Sequence, residues 1–176
     1  MIILDVQATG NDPERNSILS IAAVDFNDPE ERFYEECQIW PGAEIDKEFF
    51  NASEVLEEEL NDVHKKKESD IVQNFLYWIK QREGREFAGR DAQHHVEFIN
   101  AGLMRARIEE SLPMNIRDEF DLGSKEVQKS VGLYPEPLPR VGINGALWSF
   151  ETLYRLQNHA RKLEEFDIYP LKTRKV

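Results

Sequence analysis

Three short segments, far apart in the sequence, contain the side chains best suited to chemistry. Carboxylate, amide and hydroxyl oxygens suit hard divalent cations, whereas an imidazole nitrogen suits zinc and other transition metals. A site made from these side chains requires a fold that brings all three segments to one place. The residues are Asp5 and Gln7, then Asp91 and His95, and finally Asn144 and Ser149.

The first segment belongs to a series of predicted strands. The apolar run 2–6 has the composition of a buried strand and would deliver Asp5 to the rim of a sheet. Further strands are predicted at 17–26 and 32–39, which are rich in Ile, Val, Phe and Tyr. Asn-Asp-Pro turns at 11–13 and 27–29 separate the three strands. The pattern predicts an antiparallel meander.

The rest of the chain alternates predicted helices with short strands. Because these elements follow an antiparallel meander, the order indicates an α/β domain with a mixed central sheet. In the predicted helix that begins at Asp70, apolar residues at helical spacing, Trp78 among them, indicate core packing. The predicted elements are a helix over 54–60 capped by Ser53, the helix from Asp70, a strand at 86–89, a helix capped by Asp91 that runs to about Met104, a strand near Phe120, a helix from Ser124, and a last helix from Asn144 toward Leu163.

Composition indicates one soluble domain. The 176 residues are enough for one sizeable core, no apolar stretch has the length of a membrane span, and the predicted location is cytoplasmic. The single cysteine, Cys37, is expected to be a structural strand residue. A net charge of −12 argues against nucleic-acid binding by general phosphate neutralisation, so any such contact would be local.

Residues 2–10, Ile-Ile-Leu-Asp-Val-Gln-Ala-Thr-Gly, resemble the first motif of the DEDDh 3′-5′ exonucleases. In that family a strand with Asp-x-Glu leads into Thr-Thr-Gly and then a second apolar strand. The resemblance implies that Asp5 is a metal ligand, with Gln7 at the position of the second carboxylate. It also implies that Ala8, Thr9 and Gly10 bind substrate, since the family's backbone approaches the terminal nucleotide there.

The other two family motifs are present in altered form. The second has a metal-binding Asp on a helix, and this position is His95, with Asp91 where the family has Asn. The third places a general-base His and a metal-binding Asp at the start of the final helix, where this chain has Asn144 and Ser149. The resemblance implies a single ribonuclease H-like domain over 1–176, with 164–176 as a C-terminal tail.

These replacements weaken both halves of the family's reaction. Two-metal hydrolysis needs several carboxylates to hold two cations about 3.5 to 4 Å apart. Of the family's four carboxylates only Asp5 remains, and Asn144 cannot accept a proton from water. The sequence therefore predicts an exonuclease-like protein that is inactive or impaired and retains a cleft for a nucleotide or a nucleic-acid 3′ end.

Two alternatives stay open. One is an active exonuclease whose rearranged site, Asp5 with Asp91 and His95, holds a transition metal in place of the family's Mg²⁺ or Mn²⁺. The other is a scaffold that binds a protein partner through its acidic surface. Glu97 and Glu151 lie two positions from the aligned ligands, which turns them to other sides of their helices. The resemblance also allows a homodimer, whereas the choice between DNA and RNA stays open.

Overall fold

A computed structural model describes residues 1–47, 60, 62–82, 85–117, 129, 132 and 142–157. Strands and helices are numbered separately along the chain. The strands are β1 (Ile2–Ala8), β2 (Ile18–Asp25), β3 (Arg32–Glu36) and β4 (Phe87–Ala88). The helices are α1 (Glu68–Lys80), α2 (Ala92–Arg105) and α3 (Gly142–Gln157).

The four strands form one mixed sheet in the order β3-β2-β1-β4. The first three are antiparallel neighbours, as the meander prediction requires, and β4 pairs parallel to β1. A register shift near the end of β1 pairs Gln7 with Ser20 but Ala8 with Ile18. On the side of β4 away from β1, residues 115–117 pair with Phe87. The Phe87 N–H donates to Asn115 O, and the Phe87 carbonyl accepts from Arg117 N, so this segment extends the sheet. The α/β fold with a mixed sheet is confirmed.

Alternation along the strands separates two cores. Leu4 and Ile21 face a cluster with α1 and α2, where Phe75 is fully buried. Ile3 faces the opposite side of the sheet and packs with Phe150 of α3. Because successive side chains of a strand point to opposite faces, Asp5 lies on the α3 side. The sheet therefore has an α1–α2 face and an α3 face.

Most helix boundaries agree with the predictions to within two residues. Helix α1 begins at Glu68, earlier than the predicted Asp70, and α3 begins at Gly142, not at Asn144. The stripe that contains Trp78 packs on the core, as expected. Among the described residues, no helix is both long enough and apolar enough to cross a membrane. The predictions for 54–59, Phe120, Ser124, Leu163 and the tail 164–176 lie outside the described residues.

Candidate functional site

The α3 face of β1 holds Asp5 and Gln7. Both residues are odd-numbered neighbours of Ile3, so the strand places all three side chains on one face. Asp5 is only 3% exposed. Ser20 lies opposite Gln7 on β2, and its hydroxyl donates to Gln7 Oε1 at 3.2 Å. The Gln7 amide oxygen is thus already engaged by a neighbouring side chain.

His95 connects α2 to the backbone of β1. Its Nδ1 lies 3.2 Å from the carbonyl oxygen of Leu4, the residue before Asp5. Because β4 pairs only with Ile2 and Ile3, the ladder ends just before this carbonyl. A carbonyl can only accept, so Nδ1 carries the proton and donates it. Burial lowers the pKa of His95 to about 4, against the opposing effect of this hydrogen bond, and the ring is neutral at pH 7.

The turn between β4 and α2 is built around the same carbonyl. Gly89 has φ +153°, and a Cβ there would lie 2.4 Å from Leu4 O. Asp91 has φ 60° in the left-handed region. The predicted capping role of Asp91 is wrong, because the residue occupies the N-cap position but its side chain makes no capping hydrogen bond. Its left-handed backbone is not the extended conformation from which N-cap side chains reach the first turn.

Helix α3 brings the third motif to the sheet. Asn144 is half-buried and Ser149 is buried near the residues that pack on β1 and β2. Glu151 is also buried, with 1% exposure. Two positions along a helix correspond to about 200° of rotation, so Glu151 and Ser149 lie on different flanks of α3. Glu151 therefore does not take the place of the missing ligand at Ser149.

The segment expected to bind substrate is held inside the protein. Thr9 is fully buried, and its hydroxyl donates to Glu44 O at 2.7 Å while accepting from Ser17 N at 2.9 Å. The Thr9 backbone N–H donates to Ser17 O, and its carbonyl accepts from Asp46 N. Ala8 and Gly10 are buried as well. In this arrangement the polar groups of Thr9 serve the turn, and substrate binding by Ala8, Thr9 and Gly10 stays a prediction.

The donor set does not fit two Mg²⁺ ions. Asp5 is the carboxylate at the motif positions, Gln7 Oε1 is engaged by Ser20, and His95 offers nitrogen. Among the described residues, no three His, Cys, Asp or Glu side chains come together in a group that could hold a metal ion. Asp5, Asp91 and His95 therefore do not form such a group in this structure.

Sequence reasoning missed Ser20 and the role of the Leu4 carbonyl. Ser20 sits in an apolar strand, and its importance follows from its position opposite Gln7. An isolated polar residue in such a strand is a usable signal, because a buried hydroxyl needs a hydrogen-bond partner. The Leu4 carbonyl has no sequence signal, since its availability depends on where β4 stops.

No protein-family model matches the sequence, and no curated protein matches it significantly. Solved structures do match over most of the chain. One is the nuclease domain of 3′hExo, a DEDDh family member, bound to rAMP, with TM-score 0.63 and 13% identity over 89% of this chain and 91% of that one. A full-length 3′-exonuclease has TM-score 0.61 and 12% identity, over 90% of this chain and 81% of that one.

A third match is cell-death related nuclease 4, with TM-score 0.57 and 14% identity over 90% of this chain and 63% of that chain. At such low identities the likeness concerns the fold. The chain has the ribonuclease H-like fold of the DEDDh 3′-5′ exonuclease domains, as the motifs predicted.

Proposed function

We propose that this chain is an exonuclease-like protein that binds a nucleotide or a nucleic-acid 3′ end and has little or no hydrolytic activity. The observation that carries the proposal is the composition of the α3 face. There the exonuclease fold retains Asp5, but Gln7 and Ser149 stand at ligand positions and are neutral. A binding cleft survives the loss of charge more readily than a two-metal centre does.

The impaired chemistry follows from two replacements. A pair of divalent cations brings water activation and leaving-group stabilisation to this class of reaction, and it requires several anionic oxygens. The family's general base is replaced by Asn144, whose amide does not titrate near neutral pH. This chain's residues can therefore position and hydrogen-bond a ligand, but they supply neither the charge nor the base for hydrolysis.

One observation favours a rearranged active site as the second candidate. His95 donates from Nδ1 to the Leu4 carbonyl, which leaves Nε2 with its lone pair. Metal-binding histidines commonly donate their other ring nitrogen to a backbone carbonyl in this way. Because Asp5, Asp91 and His95 do not form a metal-binding group in this structure, such a site would require these side chains to move together, and it would take Zn²⁺, Mn²⁺ or Ni²⁺ in preference to Mg²⁺.

The test combines hydrolysis and binding on the same preparations. End-labelled single-stranded DNA and RNA are incubated with the purified chain and Mg²⁺, Mn²⁺ or Zn²⁺, and binding is measured in EDTA over a range of salt. We expect no shortening, together with binding that weakens as salt rises. Shortening from the 3′ end that Asp5→Ala abolishes would establish the active alternative. Absence of both binding and shortening would overturn the proposal in favour of a scaffold.

Control variants separate the cleft from general surface charge. Asp5→Asn removes the buried carboxylate with little change of shape, whereas Glu109→Gln removes an exposed one elsewhere. We expect Asp5→Asn to change the affinity for a 3′ end and Glu109→Gln to leave it unchanged. A triple variant with Gln7→Glu, Asn144→His and Ser149→Asp restores two carboxylates and the base. Mg²⁺-dependent degradation by a folded triple variant would support the view that these positions limit the activity.

A further inference from the structure

A cavity of about 300 Å³ lies away from the candidate site. Its walls come from residues 38–41 after β3, from Lys67 and the first turn of α1, and from the last turn of α2. Both helices cover the α1–α2 face of the sheet, whereas Asp5 points to the α3 face. The cavity is therefore separate from the cleft of the proposed function.

Apolar groups form much of the cavity wall. Trp40 provides an indole ring, and Ile39, Pro41 and Ala106 add aliphatic surface. Hydrogen bonds hold Trp40 at its backbone and at its ring: the backbone N–H donates to Ser17 Oγ, and the indole Nε1 donates to Asn16 O. A rigid aromatic wall in a cavity of this size suits a flat ring.

Arg105 adds a charged group whose hydrogen-bonding capacity is only partly used. Its Nε donates to Glu68 Oε1 at 2.7 Å, and Nη1 donates to Pro13 O at 2.7 Å. Nη2 is buried and has no hydrogen-bond partner in the described part of the chain. The guanidinium lies 5.2 Å from the centre of the Trp40 ring. Buried donors without acceptors are unfavourable, so an anionic group beside Arg105 would relieve this cost.

The charge of the cavity is positive in a strongly acidic protein. Glu68, the one carboxylate among the described residues that line the cavity, is 4% exposed and already accepts from Arg105, Ser17 Oγ and Ile18 N. Lys67 is exposed at the cavity edge and makes no ion pair with any described residue. Arg105 thus balances the charge of Glu68, and the charge of Lys67 leaves the cavity positive, although the whole chain has a net charge of −12.

We propose that this cavity binds a small planar molecule with one anionic group, of the class of a nucleoside monophosphate or an aromatic carboxylate. The ring packs against Trp40, and the anion lies between Arg105 Nη2 and the Lys67 ammonium. Both ligand types share the features that the cavity recognises, a flat apolar body and a negative charge at its edge.

Calorimetric titration of the full chain tests the proposal with defined probes. AMP is compared with adenosine, and 2-naphthoate with 2-naphthamide, so that each pair differs in the anion. We expect at least one anionic probe to show saturable binding, and its neutral partner to bind roughly tenfold or more weakly. Binding of AMP alone would identify a nucleotide as the ligand, and binding of 2-naphthoate alone an aromatic acid. Absence of saturable binding by both anions would overturn the proposal.

Variants then locate the binding site. Lys67→Glu reverses an exposed charge and should weaken binding roughly tenfold, while Arg85→Glu, an exposed change outside the cavity, should not. Arg105→Lys keeps a cation for Glu68 but removes Nη2, so it should also weaken binding. If Arg105→Lys does not fold by circular dichroism, Lys67→Glu decides.

Asp5→Asn distinguishes this proposal from the proposed function. It lies on the opposite face and should leave probe binding in the cavity unchanged. Loss of probe binding in Asp5→Asn but not in Lys67→Glu would place the ligand in the cleft and overturn the cavity proposal alone. Normal probe binding with no affinity for 3′ ends would overturn the proposed function alone.

Discussion

Each face of the sheet has a buried carboxylate close to a strand, but the two side chains, Glu68 and Asp5, are surrounded differently. On the α1–α2 face, Glu68 accepts hydrogen bonds from Ser17 Oγ, the Ile18 N–H and the Arg105 guanidinium. On the α3 face, Asp5 shares its strand face with Gln7, which is itself engaged by a serine. Glu68 joins a strand to two helices, and its partners define its structural role. The comparison teaches that buried charge alone does not mark an active site.

The largest expected effect comes from removing the cation beside Glu68. Arg105→Met leaves a buried carboxylate with neutral donors only, and the free energy of unfolding in urea should fall by about 3 kcal/mol. Asp5→Asn removes the carboxylate buried on the other face and leaves no unpaired charge behind, so it should have a smaller effect. An equal loss of stability in Asp5→Asn would break the comparison, because Asp5 would then be as structural as Glu68.

A second effect is the pH dependence that His95 imposes. Burial lowers the pKa of His95 to about 4 in the folded state, whereas the pKa of a histidine in the unfolded chain is about 6.5. Between these values the unfolded chain binds more protons, so this contribution to stability is full above pH 6.5 and is lost as pH falls toward 4. The total loss is about 3 kcal/mol at most.

Urea unfolding between pH 4.5 and 7.5 measures this contribution. His95→Gln should flatten the dependence on pH, while His64→Gln, at an exposed histidine, should leave it unchanged. Identical slopes for wild type and His95→Gln would show that the imidazole beside the Leu4 carbonyl is not held neutral.

The third effect concerns the space between Gly89 and the Leu4 carbonyl. Gly89→Ala introduces a Cβ that would lie 2.4 Å from Leu4 O, so the backbone must shift, at about 2 kcal/mol of stability. Gly42→Ala is the control, since Gly42 also has a positive φ of +97° but its Cβ would lie 3.4 Å from Trp40. Thermal unfolding compares the two. A larger loss in Gly42→Ala would mean that φ, and not crowding at the Leu4 carbonyl, decides the outcome.

The smallest effect should come from Asp91. Its φ of 60° is better suited to glycine, and its side chain makes no capping hydrogen bond. Asp91→Gly should therefore change stability by less than about 1 kcal/mol, and Asp91→Ala should be less stable than Asp91→Gly. A large loss in Asp91→Gly, measured by urea unfolding, would show that this carboxylate has a structural role, as Glu68 does.

The first three strands and their antiparallel order were predictable because runs rich in Ile, Val, Phe and Tyr and the Asn-Asp-Pro turns between them are local signals. The same holds for the apolar stripe of α1, where Phe75 and Trp78 recur at helical spacing. The polar contacts were not predictable. The partners of Glu68 come from β2 and α2, far away in the sequence. No sequence signal indicated this pairing, because it depends on the completed fold.

The candidate residues could be named from the sequence, but their contacts could not. Motif spacing indicated Asp5, His95 and Ser149, and all three are buried in the structure. The hydrogen bond of His95 to Leu4 O depends on the short length of β4, which no residue type announces. Capping by Asp91 was predicted from residue type, and it fails because the backbone there is left-handed.

The hydrogen bond from His95 also affects how this sequence can evolve. A single base change converts a histidine codon to an aspartate codon. An ionised aspartate has no proton to donate, so it would face the Leu4 carbonyl acceptor to acceptor. Such a step would be disfavoured until another donor reached that carbonyl, so a change from histidine to aspartate here would depend on the order in which substitutions occur.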